Sequence, residues 1–168
     1  MAYPAAMSTW FVLLAQLAVL AYAIVGGVFL AFSDFIMRAL ARTSPHGGVE
    51  AMQMINREVF RYVFIPTFLA LVPLSALLLV YGVVWPGDGG GWLIAAAGAI
   101  YLLGAFAVTV WGSVPMNQKL DGMDPGSDGA QRYWRETYRP RWTALNTVRT
   151  LACLSSALLL QTALIWFR

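Results

Sequence analysis

Four long stretches without a charged residue dominate the pattern of hydrophobic and polar positions. They cover residues 1–33, 62–87, 89–118 and 150–167. A membrane-spanning helix needs roughly 20 mainly apolar residues, so each stretch can hold one. The charged residues fall between these stretches and predict the connections. We therefore predict an all-α integral membrane protein, a single domain over residues 1–168 that forms an up-down-up-down four-helix bundle.

Residues that stop or bend helices set the expected bounds. The segment 43–48, Thr-Ser-Pro-His-Gly-Gly, should end the first helix, and Pro66 and Pro73 should kink the second. Pro115 should bend or end the third helix at the inner surface. The predicted helices cover about 9–41, 49–84, 92–114 and 143–167, with an interfacial segment at 131–142.

Composition and charge strengthen the membrane interpretation and add a topology. The chain is 60% hydrophobic and 11% charged, whereas a soluble domain carries about 25% charged residues. Ten of the eleven Lys and Arg residues lie in the first and third connections. By the positive-inside rule both termini lie on the non-cytoplasmic side. The expected location is the cell membrane, with multiple passes, and the lipid bilayer is the first expected partner.

Several other classes of protein are disfavoured by the sequence. The apolar run that begins the chain has no basic region before it and continues to Phe32, which disfavours a secretory signal peptide. One cysteine, Cys153, and one histidine, His46, make no metal cluster, so no metal is expected. The segment 131–142 interleaves aromatic residues with arginines, a pattern that can bind single-stranded nucleic acid. Beside a membrane helix we interpret it as interfacial and expect no nucleic-acid partner.

Polar residues collect at one end of the predicted bundle. Trp142, Asn146 and Arg149 are spaced i, i+4 and i+7, which places them on one face of the last helix. The other helices contribute Ser33, Asp34, Gln53, Asn56 and Asn117 at the same level. Polar groups in a membrane need partners. Two interpretations stay open: a structural cluster that locks the helices together, or the polar floor of an apolar pocket for a flat hydrophobic ligand.

These placements predict specific contacts. Gln16 and Gln161 lie at similar depth, so the first and last helices should be neighbours and the two amides should meet. Arg149 cannot lose its proton and should form an ion pair with Asp34. A cavity should have Asn56, Asn117, Asn146 and Arg149 as its floor and Phe29, Phe60 and Trp142 as its walls.

Four blocks of sequence carry a family resemblance. They are Gly27-Val-Phe-Leu-Ala-Phe-Ser-Asp34 with Met37, Gln53-Met-Ile-Asn56-Arg57, Val114-Pro-Met-Asn117 with Leu120-Asp121, and Trp142-Thr-Ala-Leu-Asn146-Thr-Val-Arg149. In this order they resemble the DUF1772, or anthrone oxygenase-like, family of small membrane proteins. The resemblance extends over residues 25–155.

The resemblance implies an activity. Some members of this family oxidise anthrones to anthraquinones with molecular oxygen and no evident metal or flavin, while many bacterial members have no assigned activity. The expected protein is then a cofactor-independent monooxygenase that acts on a flat phenolic or anthrone-type molecule, with oxygen as co-substrate. The doubly benzylic carbon of an anthrone is acidic, and its enolate reacts directly with oxygen.

We assign roles at the motif positions by inference. The enzyme would have to bind the substrate, remove a proton and stabilise an oxyanion. Asp34 is the candidate base, with water or Asp121 as substitutes. The candidate oxyanion donors are Asn117, Asn146 and Arg149, and the candidate substrate-binding residues are Phe29, Asn56, Phe60 and Trp142.

A second class of function remains open. The chain could be a non-catalytic membrane module, either a carrier for a lipophilic small molecule or a subunit that binds a partner protein, and it is compatible with a homo-oligomer. Ion transport is disfavoured because proton and ion relays need ionisable groups in the middle of the membrane. Oxygen consumption separates an enzyme from a carrier or subunit.

Overall fold

The computed structural model describes residues 8–44, 46–84 and 90–166. Within them the chain forms helices and no strand, which confirms the all-α prediction. Five helices are present: α1 (Thr9–Leu40), α2 (Gly47–Glu58), α3 (Phe64–Val84), α4 (Gly91–Asp121) and α5 (Asp128–Trp166). The predicted outer turn at 85–89 and the C-terminal residues Phe167 and Arg168 lie outside the described residues.

Four of the helices, α1, α3, α4 and α5, are long and apolar enough to cross a membrane. They form a closed four-helix bundle in which α1 packs along α5, α5 along α4, α4 along α3, and α3 along α1. The predicted neighbour relation of the first and last helices is therefore confirmed. The predicted contact between the amides is wrong: Gln16 and Gln161 are both half-buried, and their side-chain amides form no hydrogen bond with each other or with another described residue.

Glycines permit the closest helix contacts. A β-carbon on Gly98 of α4 would overlap the Ser75 carbonyl oxygen of α3 and come within 2.9 Å of the Leu79 nitrogen. Gly26 of α1 is in a similar position, because a β-carbon there would lie 3.1 Å from Cβ of Cys153 on α5. Small residues at such positions let two helix backbones approach closely, which compensates for the weak hydrophobic driving force between helices in lipid.

The second predicted helix, 49–84, is two helices in the structure. The segment 59–63 forms a turn between α2 and α3. Pro66 lies in the first turn of α3, where a missing N–H removes no helical hydrogen bond, so it is compatible with a helix start rather than a kink. Pro73 lies inside α3, and the kink predicted there stays a prediction. The short helix α2 packs at the end of the bundle against the last turns of α4.

The third and fourth predicted helices are longer in the structure than expected. Pro115 does not end α4, which continues to Asp121, and the segment 131–142 is part of α5. In α4 and α5 a π-helical turn precedes the internal proline: Thr109–Ser113 before Pro115, and Trp134–Tyr138 before Pro140. These wider turns, with i→i+5 hydrogen bonds, accommodate the proline ring and its missing N–H, so the helix continues.

Candidate functional site

A cavity of about 100 Å³ lies at the end of the bundle where α1 ends and α3 begins. All five helices and the turn at 59–63 contribute to its wall. Six of the seven residues that the sequence predicted around a cavity line this one: Phe29, Asn56, Phe60, Asn117, Trp142 and Arg149. We call this space the aromatic cavity. Its walls also include Phe32, Phe64 and Phe68, which make it mainly apolar.

Among the residues that the structure describes, Arg149 is the single charged one in the lining of the aromatic cavity. Its side chain is 4% exposed, and among the described residues it forms no ion pair. One terminal nitrogen, Nη2, donates to Asn146 Oδ1 at 2.9 Å, and the other, Nη1, makes a long contact of 3.4 Å with Thr109 Oγ1. The Nε atom is buried and has no hydrogen-bond partner in the described chain.

Two aromatic rings take the place of a carboxylate around this cation. The guanidinium carbon of Arg149 lies 4.4 Å from the Phe29 ring centroid and 5.0 Å from that of Trp142. Desolvated cation–π contacts contribute about 2 kcal/mol, far less than the cost of burying an isolated charge. The site therefore retains an uncompensated positive charge that favours an anionic ligand.

Asn146 holds Arg149 in place and does not line the aromatic cavity. Its Nδ2 donates to the Phe29 carbonyl oxygen at 2.5 Å and to Ser33 Oγ at 2.7 Å, and its Oδ1 accepts from Arg149. All its hydrogen-bonding groups are therefore occupied. The structure places this predicted oxyanion donor behind the arginine, in a positioning role.

A second polar group of the site centres on Asn117. Its Oδ1 accepts from Tyr138 Oη at 2.7 Å and from Trp142 Nε1 at 2.9 Å. Asn56 Nδ2 makes a 3.4 Å contact with the same Tyr138 oxygen. Among the described residues, the Nδ2 donors of Asn117 and the Oδ1 acceptor of Asn56 form no hydrogen bond. These groups can therefore bind a hydroxyl or carbonyl of a ligand.

Asp34 is not part of this site, and the predicted ion pair with Arg149 is wrong. Its side chain is 65% exposed and pairs with Arg38 Nη2 at 2.8 Å, four residues along α1. The inward position is taken by its neighbour Ser33, which bonds Asn146. Consecutive helical residues point about 100° apart, so only one of the two can face the bundle. The substitute base, Asp121, is also absent from the cavity lining; its carboxylate pairs with Arg57 Nε at 2.8 Å.

Phe60 differs from the other predicted wall residues. It lies in the turn at 59–63 and is 67% exposed, although it lines the aromatic cavity. Phe29, by contrast, is buried and packs edge-on against Phe64 and Phe68. Phe60 therefore lies at the exposed edge of the cavity, which we call its mouth.

Sequence reasoning missed Tyr138 and Thr109. Tyr138 is fully buried and connects Asn56 to Asn117, and it stacks between Trp134 and Trp142 at i−4 and i+4. The i, i+4 spacing of these three aromatic residues was the available signal, but the surrounding arginines favoured an interfacial interpretation. The i, i+4 and i+8 spacing of Thr109, Ser113 and Asn117 would place all three on one stripe of a regular α-helix. The π-helical turn Thr109–Ser113 instead directs Ser113 into the packed interior, where its hydroxyl has no partner in the described chain.

The aromatic cavity combines one permanent cation, the unpaired Nδ2 donor of Asn117, the unpaired Oδ1 acceptor of Asn56 and flat apolar walls. Such a lining can hold an aromatic enol or phenol by its rings and favour its ionised form. A search of the described residues finds no group of three or more His, Cys, Asp or Glu side chains that could bind a metal.

Comparison with known proteins identifies the family. No curated protein and no solved structure matches the chain significantly. A family model described as "Anthrone oxygenase" matches residues 57–159, more than half of the chain. This range contains Asn117, Trp142, Asn146 and Arg149 and begins at Arg57, the last residue of the second block of the resemblance. The chain therefore belongs to the anthrone oxygenase family of membrane proteins.

Proposed function

We propose that this protein is a membrane-embedded oxygenase that oxidises a flat phenolic or anthrone-type molecule with O2 inside the aromatic cavity. The observation that carries the proposal is Arg149, a buried cation at the wall of an aromatic-lined space that has no carboxylate partner among the described residues. The family match supports the same chemistry. The oxyanion of the bound substrate supplies the missing negative charge.

The reaction begins with loss of a proton from the doubly benzylic carbon. Arg149 favours the resulting enolate, because an opposite charge nearby stabilises the ionised form and does so strongly where water is excluded. In the described chain no carboxylate, histidine or lysine lines the aromatic cavity. Water at the mouth therefore takes the proton. The amides of Asn56 and Asn117 orient the substrate oxygens.

Oxygen then reacts with the enolate directly. One electron passes from the enolate to O2, and the two radicals combine to form a carbon–oxygen bond. Protonation gives a hydroperoxide, which loses water to leave a carbonyl group. In the balanced reaction the CH2 group and O2 give C=O and H2O, with one oxygen atom in each product. The substrate is the sole reductant.

The size of the aromatic cavity requires that it widen for this substrate. At about 100 Å³ it is smaller than the roughly 300–1,000 Å³ of pockets that enclose drug-sized ligands. The mouth is formed by the exposed Phe60 and the turn at 59–63, which lie outside the packed helices. Outward movement of this turn admits a three-ring molecule without disturbing Arg149.

The test is oxygen uptake by the detergent-purified protein with an anthrone, measured above the protein-free autoxidation rate. Replacing Arg149 by Met should lower kcat by about 10²–10³, the effect of removing one oxyanion-stabilising group. Stability should be unchanged or higher, because a buried charge gives way to an apolar side chain of similar length. Arg141→Met is the matched control, since Arg141 is exposed on the same helix and should keep wild-type activity.

Two results would overturn the proposal. Full activity in Arg149→Met would remove the observation on which it depends. Quenching of tryptophan fluorescence by the anthrone, without oxygen uptake above the background rate, would identify a binding module for lipophilic molecules instead.

A further inference from the structure

A second cavity lies on the outside of the bundle, between the end of α1 and the first half of α5. It has a volume of about 640 Å³ and is open to the surroundings. Three arginines, Arg38, Arg42 and Arg139, line it together with three hydroxyl side chains, and no acidic residue of the described chain does. We call it the basic groove. It is separate from the aromatic cavity, with which it shares no lining residue.

Two of the three arginines are available to a ligand. Arg38 pairs with Asp34, but neither Arg42 nor Arg139 forms an ion pair with a described residue. The hydroxyl of Thr143 also has no hydrogen-bond partner in the described chain. One guanidinium group can donate two parallel hydrogen bonds to the oxygens of a phosphate, and a hydroxyl adds a further donor. The groove therefore has the donors of a phosphate site without a bound counter-charge.

The surface beside the groove is apolar on its membrane side. One helical turn further into the membrane-spanning part, each helix carries apolar residues. On α1 this residue is Leu30, one turn from Ser33, and on α5 they are Val148 and Leu151, one turn from Ala144 and Thr147. All three of these apolar side chains are exposed. Met37 and Ala41 add apolar atoms to the groove itself. A ligand that fits both parts carries a phosphate at one end and hydrocarbon at the other.

We propose that the basic groove binds the phosphate headgroup of an anionic phospholipid, with the acyl chains lying on the apolar surface between α1 and α5. Arg42 and Arg139 bind the phosphate and Thr143 donates to it. Basic pockets between membrane helices bind anionic headgroups in this way. The site does not depend on the proposed oxygenase activity.

The test uses the full chain, delipidated in detergent and titrated with phosphatidylglycerol, with bound lipid counted by native mass spectrometry. Each arginine near a charged headgroup contributes about fivefold in affinity, so Arg42→Gln with Arg139→Gln should weaken binding about 30-fold. The control is Arg132→Gln with Arg135→Gln, which removes the same charge from exposed positions of α5 outside the groove. It should leave the affinity within about twofold.

Three outcomes would overturn this assignment. An equal loss of lipid affinity in the control variant would mean that the lipid is attracted non-specifically by any basic residue. Phosphatidylcholine binding as tightly as phosphatidylglycerol would remove the preference for an anionic headgroup. Displacement of the lipid by inorganic phosphate at matched ionic strength would identify a site for soluble phosphate. If the double variant does not fold, the single variants Arg42→Gln and Arg139→Gln replace it. Each is checked for folding by circular dichroism and should bind the lipid about fivefold more weakly.

Discussion

The two halves of the bundle differ in how their buried polar groups are paired. In the half that holds Tyr22, Ser75 and Tyr101, every buried hydroxyl among the described residues has a neutral partner. The half with the aromatic cavity buries Arg149, which has no counter-ion among the described residues. Tyr22 and Ser75 share a 2.6 Å hydrogen bond, and Tyr101 donates to the Phe68 carbonyl oxygen at 2.7 Å. Both unpartnered buried side-chain atoms of the described residues, in Ser113 and Arg149, lie in the cavity half.

This difference indicates that the half with neutral pairs serves mainly the stability of the bundle and that the cavity half serves a function. Satisfied neutral groups and glycine contacts hold helices together at little cost. An uncompensated buried cation lowers stability, so its presence indicates a use beyond folding. Three π-helical turns, at Phe32–Ile36, Thr109–Ser113 and Trp134–Tyr138, also lie at or near the cavity. Such turns are frequent at functional sites.

The packed half should respond most strongly to added volume. Gly98→Ala places a methyl group against the backbone of α3, and such overpacking costs about 1–3 kcal/mol. Gly27→Ala is the matched control, because nothing lies within 4 Å of a β-carbon there. The free energy of unfolding in mixed detergent and SDS should fall for Gly98→Ala alone. Equal stability of the two variants would show that this half is not closely packed.

The cavity half should respond to a change of charge at constant size. Asn146→Asp gives Arg149 a carboxylate at 2.9 Å, which compensates its charge. It also replaces the Nδ2 donor to the Phe29 carbonyl oxygen by an acceptor, and this lost hydrogen bond costs about 1–3 kcal/mol of stability. The new pair competes with the substrate oxyanion, and kcat/KM for oxygen uptake should fall by about tenfold or more. Unchanged activity of the folded variant would mean that the uncompensated charge of Arg149 is not used in the reaction.

The smallest effect is expected outside both halves, at Asp34. Its pair with Arg38 is exposed, and exposed i, i+4 pairs contribute about 0.3–0.5 kcal/mol. Asp34→Asn should therefore keep its stability within about 0.5 kcal/mol and retain wild-type oxygen uptake. An activity loss comparable to that of Arg149→Met would return Asp34 to the reaction as its base.

Much of the fold could be predicted because it depends on local and one-dimensional properties. The length and apolar character of four charge-free stretches determined four helices. Regular spacing placed Trp142, Asn146 and Arg149 on one face, and all three are buried together, because α5 is regular from Arg139 onward. The topology across the membrane, with both termini outside, stays a prediction from the basic residues.

Other features were decided by the tertiary structure. Asp34 faces outward because the adjacent Ser33 meets Asn146 from another helix, a contact that no local pattern contains. Tyr138 became the link between Asn56 and Asn117 only when α2, α4 and α5 met. The π-helical turns shift every later side chain around its helix, so a spacing rule fails beyond them. The sequence by itself therefore determined which segments are long and apolar enough to cross a membrane and which face of α5 is polar. Packing of the helices decided which polar groups meet.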